Sequence, residues 1–215
     1  MAFSDYTFDS QGGGKDDWLR FPHHSCVREY LENFASDFEI LACIRFSSRV
    51  TQVRRNACSW QVLTRETSGE FDAVLVCNGH YAKPRVPPLT GLERFKGQLL
   101  HSHNYRRPED VAGPRVAVWG AAASGLDLAF ELEADEIHWF GNSFTDRVRL
   151  DETRIGYPSI ESIDDEGRLV VGNDAIEVDT LLFCTGYHYD FPFLLDQAIK
   201  VDDDWVHPLY QDVIL

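Results

Sequence analysis

Residues 115–140, RVAVWGAAASGLDLAFELEADEIHWF, constrain this chain more than any other stretch. A short apolar run meets a glycine, four small residues and a second glycine, and then an apolar segment of helical period leads into another strand-like run. That order predicts a β-turn-α-β unit, with Leu126, Leu128, Ala129 and Leu132 available to face a sheet. Such a unit belongs to a parallel sheet with helical crossovers, so the expected fold class is α/β. Gly120 permits a tight turn, Gly125 permits close helix packing, and Ser124 lies at the helix N-terminus where a pyrophosphate would rest. Ala122 stands where a dinucleotide fingerprint has its middle glycine, an intrusion of one methyl group. On these residues alone, an ordinary crossover turn and a nucleotide-binding turn are equally good readings.

The second strand ends in Phe140-Gly141-Asn142-Ser143. A carboxylate there would hold a ribose 2′-hydroxyl and a basic residue would favour a 2′-phosphate. The missing carboxylate argues for NADP over NAD. Arg147 and Arg149 follow, readable either as phosphate ligands or as solvated surface.

Elsewhere the periodicity predicts an amphipathic helix over 25–37 with Ser25 as its cap, and strands at Ile40–Phe46, Val50–Arg54 and Trp60–Glu66 in an antiparallel meander. The run Phe71–Cys77 reads as a strand buried on both faces. Gly12–Gly14 read as a mobile surface loop, Lys83–Gly91 as a proline-rich connector, 161–173 as a hairpin, and 176–187 as another apolar strand reaching a glycine.

The net charge of −15 offers no basic surface for nucleic acid. Asp202–Asp204 in the acidic last third read as a solvated loop. Five scattered cysteines without a C-x-x-C pair signal neither a disulfide framework nor structural zinc, and fit a reducing, cytoplasmic setting. The N-terminus lacks a signal-peptide pattern, and no apolar run is long enough to cross a membrane. His101 and His103 alternate as on one strand face, but with no third ligand a metal reading fails.

Residues 95–105, FKGQLLHSHNY, fit F-x-G-x-x-x-H-x-x-x-Y through Phe95, Gly97, His101 and Tyr105. Here the chain resembles the flavin-containing monooxygenases, whose identifying motif has this form and precedes the NADP-binding strand. CNGHYAKPRVP at 77–87 is similar to that family's linker, Cys184-Thr185-Gly186-Tyr187 to its A-T-G-Y strand end, and HPLYQDV at 207–213 to the segment that follows. The alanine-rich turn looks most like the plant-type S-oxygenating members. Tyr105 stands where the Baeyer–Villiger relatives carry tryptophan, favouring oxygenation of nitrogen or sulfur.

The resemblance implies a fold with two dinucleotide-binding domains: a partial FAD-type domain at 1–109, an inserted NADP-binding domain at 110–178, and a return to the FAD-type domain at 179–215. It implies FAD and NADP(H) as cofactors and an NADPH- and O2-dependent oxygenation of a small nitrogen- or sulfur-containing substrate, the flavin carrying the chemistry. Gly120, Ala122, Ser124 and Gly125 would surround the NADP pyrophosphate. Asn142 and Ser143 would lie by the 2′-phosphate, Asn142 where many members place an arginine. Asn78 and Gly79 would line the flavin side, His101 and Tyr105 would lie near the interdomain cleft, and Thr185, Gly186 and Tyr187 would close it. The family's first FAD-binding strand-turn-helix has no counterpart, and the stretch beginning at Met1 looks internal, so the chain reads as truncated at both ends. The expected consequences are a sheet edge exposed around Phe71–Cys77 or Leu181–Cys184, open to a partner or a second copy, and weakened flavin affinity. The alternative function is a non-catalytic nucleotide-binding or interaction remnant.

Overall fold

The computed structural model describes residues 2–194 and 199–211. Its chain divides into two compact units, one formed by Met1–Thr51 with Leu63–Ser68, the other by Gln52–Val62 with Gly69–Leu215.

In the first unit, helix α1 (His24–Asp37) presents Tyr30, Phe34 and Phe38 to Phe3, Tyr6 and Phe8, with ring centroids 4.4–5.9 Å apart. His23, not Ser25, is the cap, its ring Nδ1 accepting from the Ser25 N–H. Two hydrogen bonds fix the N-terminal strand of chain on the helix. The Phe3 N–H donates to the Tyr30 hydroxyl (2.9 Å), which donates to the Tyr6 carbonyl (2.7 Å). The triple glycine is a packed turn and not a loose loop: Gly13 is buried, its carbonyl accepts from Asn33 at 2.9 Å, and a Cβ there would lie 2.2 Å from the Tyr6 ring. Only hydrogen lets this backbone lie against aromatic rings. Ile40–Cys43 form a 3-10 turn, not the expected strand, after Glu39 takes a left-handed conformation that ends α1.

Strands β1 (Val50–Arg55), β2 (Trp60–Thr64) and β3 (Ser68–Phe71) make a three-stranded sheet in that order. The run after Phe71 forms no strand. Phe71, which ends β3, is 47% exposed, Leu75 and Val76 beyond it are 81% and 44% exposed, and no strand among the described residues pairs with residues 72–77. An apolar sequence is not sufficient for a strand: unpaired backbone N–H and C=O groups turn to water unless a neighbouring chain takes them.

In the second unit, β4 (Lys83–Pro84) and β5 (Gln98–His101) precede the predicted β-α-β unit, which is β6 (Arg115–Trp119), α2 (Ala123–Glu131) and β7 (Glu136–Phe140). Then come β8 (Val148–Arg149), β9 (Arg154–Tyr157), β10 (Ser162–Ile163), β11 (Leu169–Val171), β12 (Asp174–Ile176) and β13 (Thr180–Phe183). The chain continues through β14 (Tyr187–His188), β15 (Lys200–Asp202) and β16 (Trp205–His207). Six strands form the main sheet in the order β5-β13-β6-β7-β9-β8, parallel except for β8. The α/β class is therefore as expected.

Both faces of its central strands β13, β6 and β7 are covered, which is why these read as continuous apolar runs. Val116, Val118, Ile137, Trp139 and Leu182 pack with Leu128 and Ala129 of α2 and with Leu132 at its C-cap. Ala117, Trp119, Phe140, Leu181 and Phe183 face the other way, onto Ile163, Leu169, Val171 and Ile176 of the antiparallel β10-β11-β12 sheet. The predicted hairpin thus gains a third strand. Leu126, expected against the sheet, is 47% exposed, because the helix turns it away from the stripe made by Leu128, Ala129 and Leu132. Of the two edges expected to be exposed, Leu181–Cys184 is instead buried, held between β5 and β6.

Candidate functional site

The turn from β6 into α2 is built on close approach. A Cβ on Gly120, whose φ is +133°, would lie 2.2 Å from the Cys184 carbonyl oxygen, and one on Gly125 would lie 1.9 Å from that of Gly120. The Gly120 N–H donates to the Phe140 carbonyl (2.8 Å), and the Trp139 indole N–H donates to the Gly120 carbonyl (2.8 Å). Both glycines are therefore required by packing, whether or not anything binds. What points to an anion is the next step. Ala122 caps α2 with no side-chain hydrogen bond, and residues 122–124 are exposed, leaving the first N–H groups of the helix free of side-chain partners. Ala122 has a φ of −88°, ordinary for alanine, so losing the middle glycine strains nothing.

Asn142 and Ser143 follow β7 and are exposed beside this turn's sheet end. Of the two arginines beyond them, Arg149 is engaged with backbone carbonyls and Arg147 points away from this turn, toward β9 and β12. Arg147 lies 3.8 Å from the Asp174 carboxylate and over the Tyr157 ring, and Arg149 donates to the Asp151 and Glu152 carbonyls.

The family-motif residues take different roles. Gly97 admits no Cβ, which would lie 2.3 Å from the Asp179 carbonyl oxygen. Phe95 packs on the β10–β12 side of the main sheet. Tyr105 is not at an open cleft: it is buried on the α2 side, its hydroxyl donating to Glu131 at 3.0 Å, and burial with that carboxylate raises its pKa. The motif therefore fastens edge strand β5 on both faces. His101 lies between these anchors, buried at the end of β5. Its Nδ1 accepts from the His103 N–H (3.0 Å), which places the proton of the neutral ring on Nε2. That Nε2 faces the Gly186 and Arg85 carbonyls without closing a full hydrogen bond, and burial lowers the pKa, so the imidazole is neutral near pH 7.

Around His101 the connector and the strand end after β13 are joined. Strands β4 and β14 pair antiparallel. The Arg85 N–H donates to the Gly186 carbonyl (2.9 Å), the Thr185 hydroxyl to the Arg85 carbonyl (2.5 Å), and the Arg85 guanidinium to the Tyr187 carbonyl (3.2 Å). Tyr187 is the aromatic hub, with Tyr81, His101 and His103 rings 5.0–5.7 Å away. Sequence reasoning missed Arg85 and Tyr81; both lie in the linker, where the proline spacing hid them. It also took Asp203 for plain solvated surface, whereas Asp203 accepts both arms of the Arg85 fork at 2.9 and 2.6 Å and lies 3.3 Å from His188. Those partners hold its carboxyl below the usual range.

Asn78 is exposed, and Gly79 and Gly186 have φ of +69° and +81° with no atom of the described residues within 4 Å of where a Cβ would lie. These loops offer open backbone to a flat ring system, and the α2 terminus offers N–H groups to a pyrophosphate, so both fit the cofactors implied above. Part of the predicted HPLYQDV segment, from residue 212 on, lies outside the described residues.

The sequence pattern of the flavin-binding monooxygenase-like family matches residues 1–144. The chain is 35% identical to the flavin-containing monooxygenase FMO GS-OX5 of Arabidopsis thaliana over 99% of its own length and 50% of that protein's, and 37% identical to FMO GS-OX-like 7 of the same plant over 99% and 49%. It thus spans about half the length of the curated relatives it matches. Among solved structures, the S-allyl-L-cysteine S-oxygenase of Allium sativum superposes with a TM-score of 0.85 at 32% identity, covering 98% of this chain and 51% of that one. Tmm from Pelagibacter sp. strain HTCC7211 shares the fold, with a TM-score of 0.79 at 24% identity over 91% of this chain and 46% of that one. The family match runs without a break through the connector, the motif and the glycine turn, and on it the chain belongs to the flavin-binding monooxygenase-like family.

Proposed function

We propose that this chain carries the NADP(H)-binding part, and the flavin-facing loops, of an NADPH- and O2-dependent flavin monooxygenase that oxygenates a soft nitrogen or sulfur nucleophile. The observation that carries the reading is the uncapped N-terminus of α2 behind a turn that only glycine fits. Bound FAD and NADPH would supply the hydride and oxygen chemistry, and the protein's work is to bind, orient and exclude water. In this reading the N–H groups at Ala122–Ser124 take the pyrophosphate, and Asn142 and Ser143 offer neutral donors to the ribose phosphate. Asn78, Gly79 and Gly186 let the flavin approach the backbone. The joined loops at Arg85, Thr185 and Tyr187 hold the NADP-type segment, 110–178, in register with the flavin-facing segments on either side of it. A sulfur substrate is supported by the S-oxygenase among the structural relatives. The free thiols support a cytoplasmic setting, and among the described residues no helix is long and apolar enough to cross a membrane.

The exposed run Phe71–Cys77 favours a second reading, a nucleotide-binding remnant that docks another surface there. One experiment separates the two. The purified chain is incubated with excess FAD and NADPH, freed of unbound cofactor, and read by absorbance. Retained flavin with thioether-dependent NADPH consumption supports the monooxygenase, whereas retained NADPH without flavin supports the remnant. Gly120→Ala should abolish NADPH retention in either case. A chain that unfolds cooperatively yet retains neither cofactor overturns both readings.

A further inference from the structure

A polar pocket lies on the face of the main sheet opposite α2, beside β12. It has a volume of about 330 Å³ and is lined by Arg115, Glu136, His138, Arg147, Tyr157 and the Asp174–Glu177 segment. The glycine turn lies at the far end of β6 from Arg115, and the N-terminus of α2 is on the other face, so this pocket is separate from the proposed nucleotide site.

Its floor is His138, at mid-strand in β7 between Ala117 and Ile155. The residue is 6% exposed, yet among the described residues neither ring nitrogen has a hydrogen-bond partner, the Glu136 carboxylate standing 3.4 Å from Nε2 without completing one. Burial lowers the pKa of this ring, with Glu136 opposing only in part, so it presents one N–H and one lone pair. A buried polar pair left unmatched is costly, and a neutral imidazole in an apolar sheet face wants partners. The space exceeds what a single water needs, whose share of liquid volume is about 30 Å³.

The charges around the ring say what fits. Three carboxylates, Glu136, Asp174 and Glu177, face the pocket with two arginines. Arg115 is occupied, its fork closed on Asp179 (2.7 Å) and Glu177 (3.3 Å). Arg147 is loosely held, with 57% of its side chain exposed and Asp174 3.8 Å away. A simple anion would meet three like charges, and a simple cation would leave Arg147 unmatched. A molecule carrying both signs matches both sets. We propose that this pocket binds a small zwitterion of the α-amino acid class, its carboxylate toward Arg147 and the Tyr157 hydroxyl, its ammonium toward Glu136 and the lone pair of His138.

The test reads the ring itself. In chain labelled with ¹⁵N-histidine, L-alanine, propionate and ethylamine are titrated separately while the His138 ring nitrogens are followed by NMR. L-alanine should give a saturating shift at millimolar concentration, and each single-charge probe should bind at least roughly tenfold more weakly, the loss expected for removing one charge-assisted contact. Arg147→Gln and Glu136→Gln, both at exposed side chains, should each weaken L-alanine by about tenfold while leaving the His101 ring signals, and hence the sheet, unchanged. No saturating shift with L-alanine, or an equal response to propionate or ethylamine, overturns the proposal in favour of a water-filled pocket or a simple ion site. No flavin or NADPH enters the experiment, so its failure leaves the proposed nucleotide site untouched.

Discussion

Two segments of this protein share one sequence pattern and have opposite fates. Val74-Leu75-Val76-Cys77-Asn78-Gly79 and Leu181-Leu182-Phe183-Cys184-Thr185-Gly186 each run three apolar residues into a cysteine, a polar residue and a glycine of positive φ. The second is β13 and its exit, buried to 0–5% between β5 and β6 through Cys184. The first pairs with no strand among the described residues, and its Leu75 is 81% exposed. The difference teaches that an apolar run specifies willingness to be a strand, while the neighbours that take its N–H and C=O groups decide whether it becomes one.

The largest expected contrast lies in the two cysteines. Burial pushes the Cys184 thiol up to about 12, whereas Cys77 is exposed. Alkylation at pH 8 should modify Cys77 on the order of 10³ times faster than Cys184, since thiolate fraction and access both oppose the buried group. Peptide mapping over a time course checks this, and comparable rates would mean that β13 opens freely. Next comes packing: Leu182→Ala should cost about 2–5 kcal/mol in urea unfolding, and Leu75→Ala within roughly 0.5 kcal/mol. Equal costs would show that Leu75 is buried in solution by something the described residues do not include.

The glycines extend the comparison. Gly125→Ala sets a Cβ against fixed backbone and should destabilise by about 1–3 kcal/mol, while Gly186→Ala meets open space and should cost only the left-handed conformation, about 1 kcal/mol. The smallest effect is in pH. His101 and His138 have lowered pKa values in the folded protein, so the unfolded chain binds protons first as pH falls. Their neutral-state stability should be complete above about pH 6.5 and be lost as pH drops from there through the folded values. Melting temperature against pH, compared with His101→Gln, checks it: a variant with an unchanged acid slope would remove His101 from this account.

The strand-turn-helix at 115–140 was legible because each level agrees there: β-formers, two glycines at fixed spacing and an apolar stripe of helical period. The family motif was legible as a pattern, but not its division of labour, with Phe95 and Tyr105 on opposite faces of the sheet and His101 aimed at loop carbonyls. Strand β9, RIGY, escaped notice because a four-residue run with arginine and glycine carries no periodic signal. Its place beside β7 comes from long-range pairing, and Arg154 is further held by the Ala129 carbonyl at 2.6 Å. Arg85 and Asp203, 118 residues apart, could not be joined by any local pattern.

What the amino-acid sequence by itself determined is the α/β class, the glycine turn and the family, since each rests on short-range geometry or on motifs readable in order along the chain. Only the tertiary structure decided which apolar runs became strands, what His101 and Arg85 hold together, and that His138 would lie buried without partners beneath a ring of charges. Those outcomes depend on which distant groups satisfy one another's hydrogen bonds and surface, and that is a property of the packed whole.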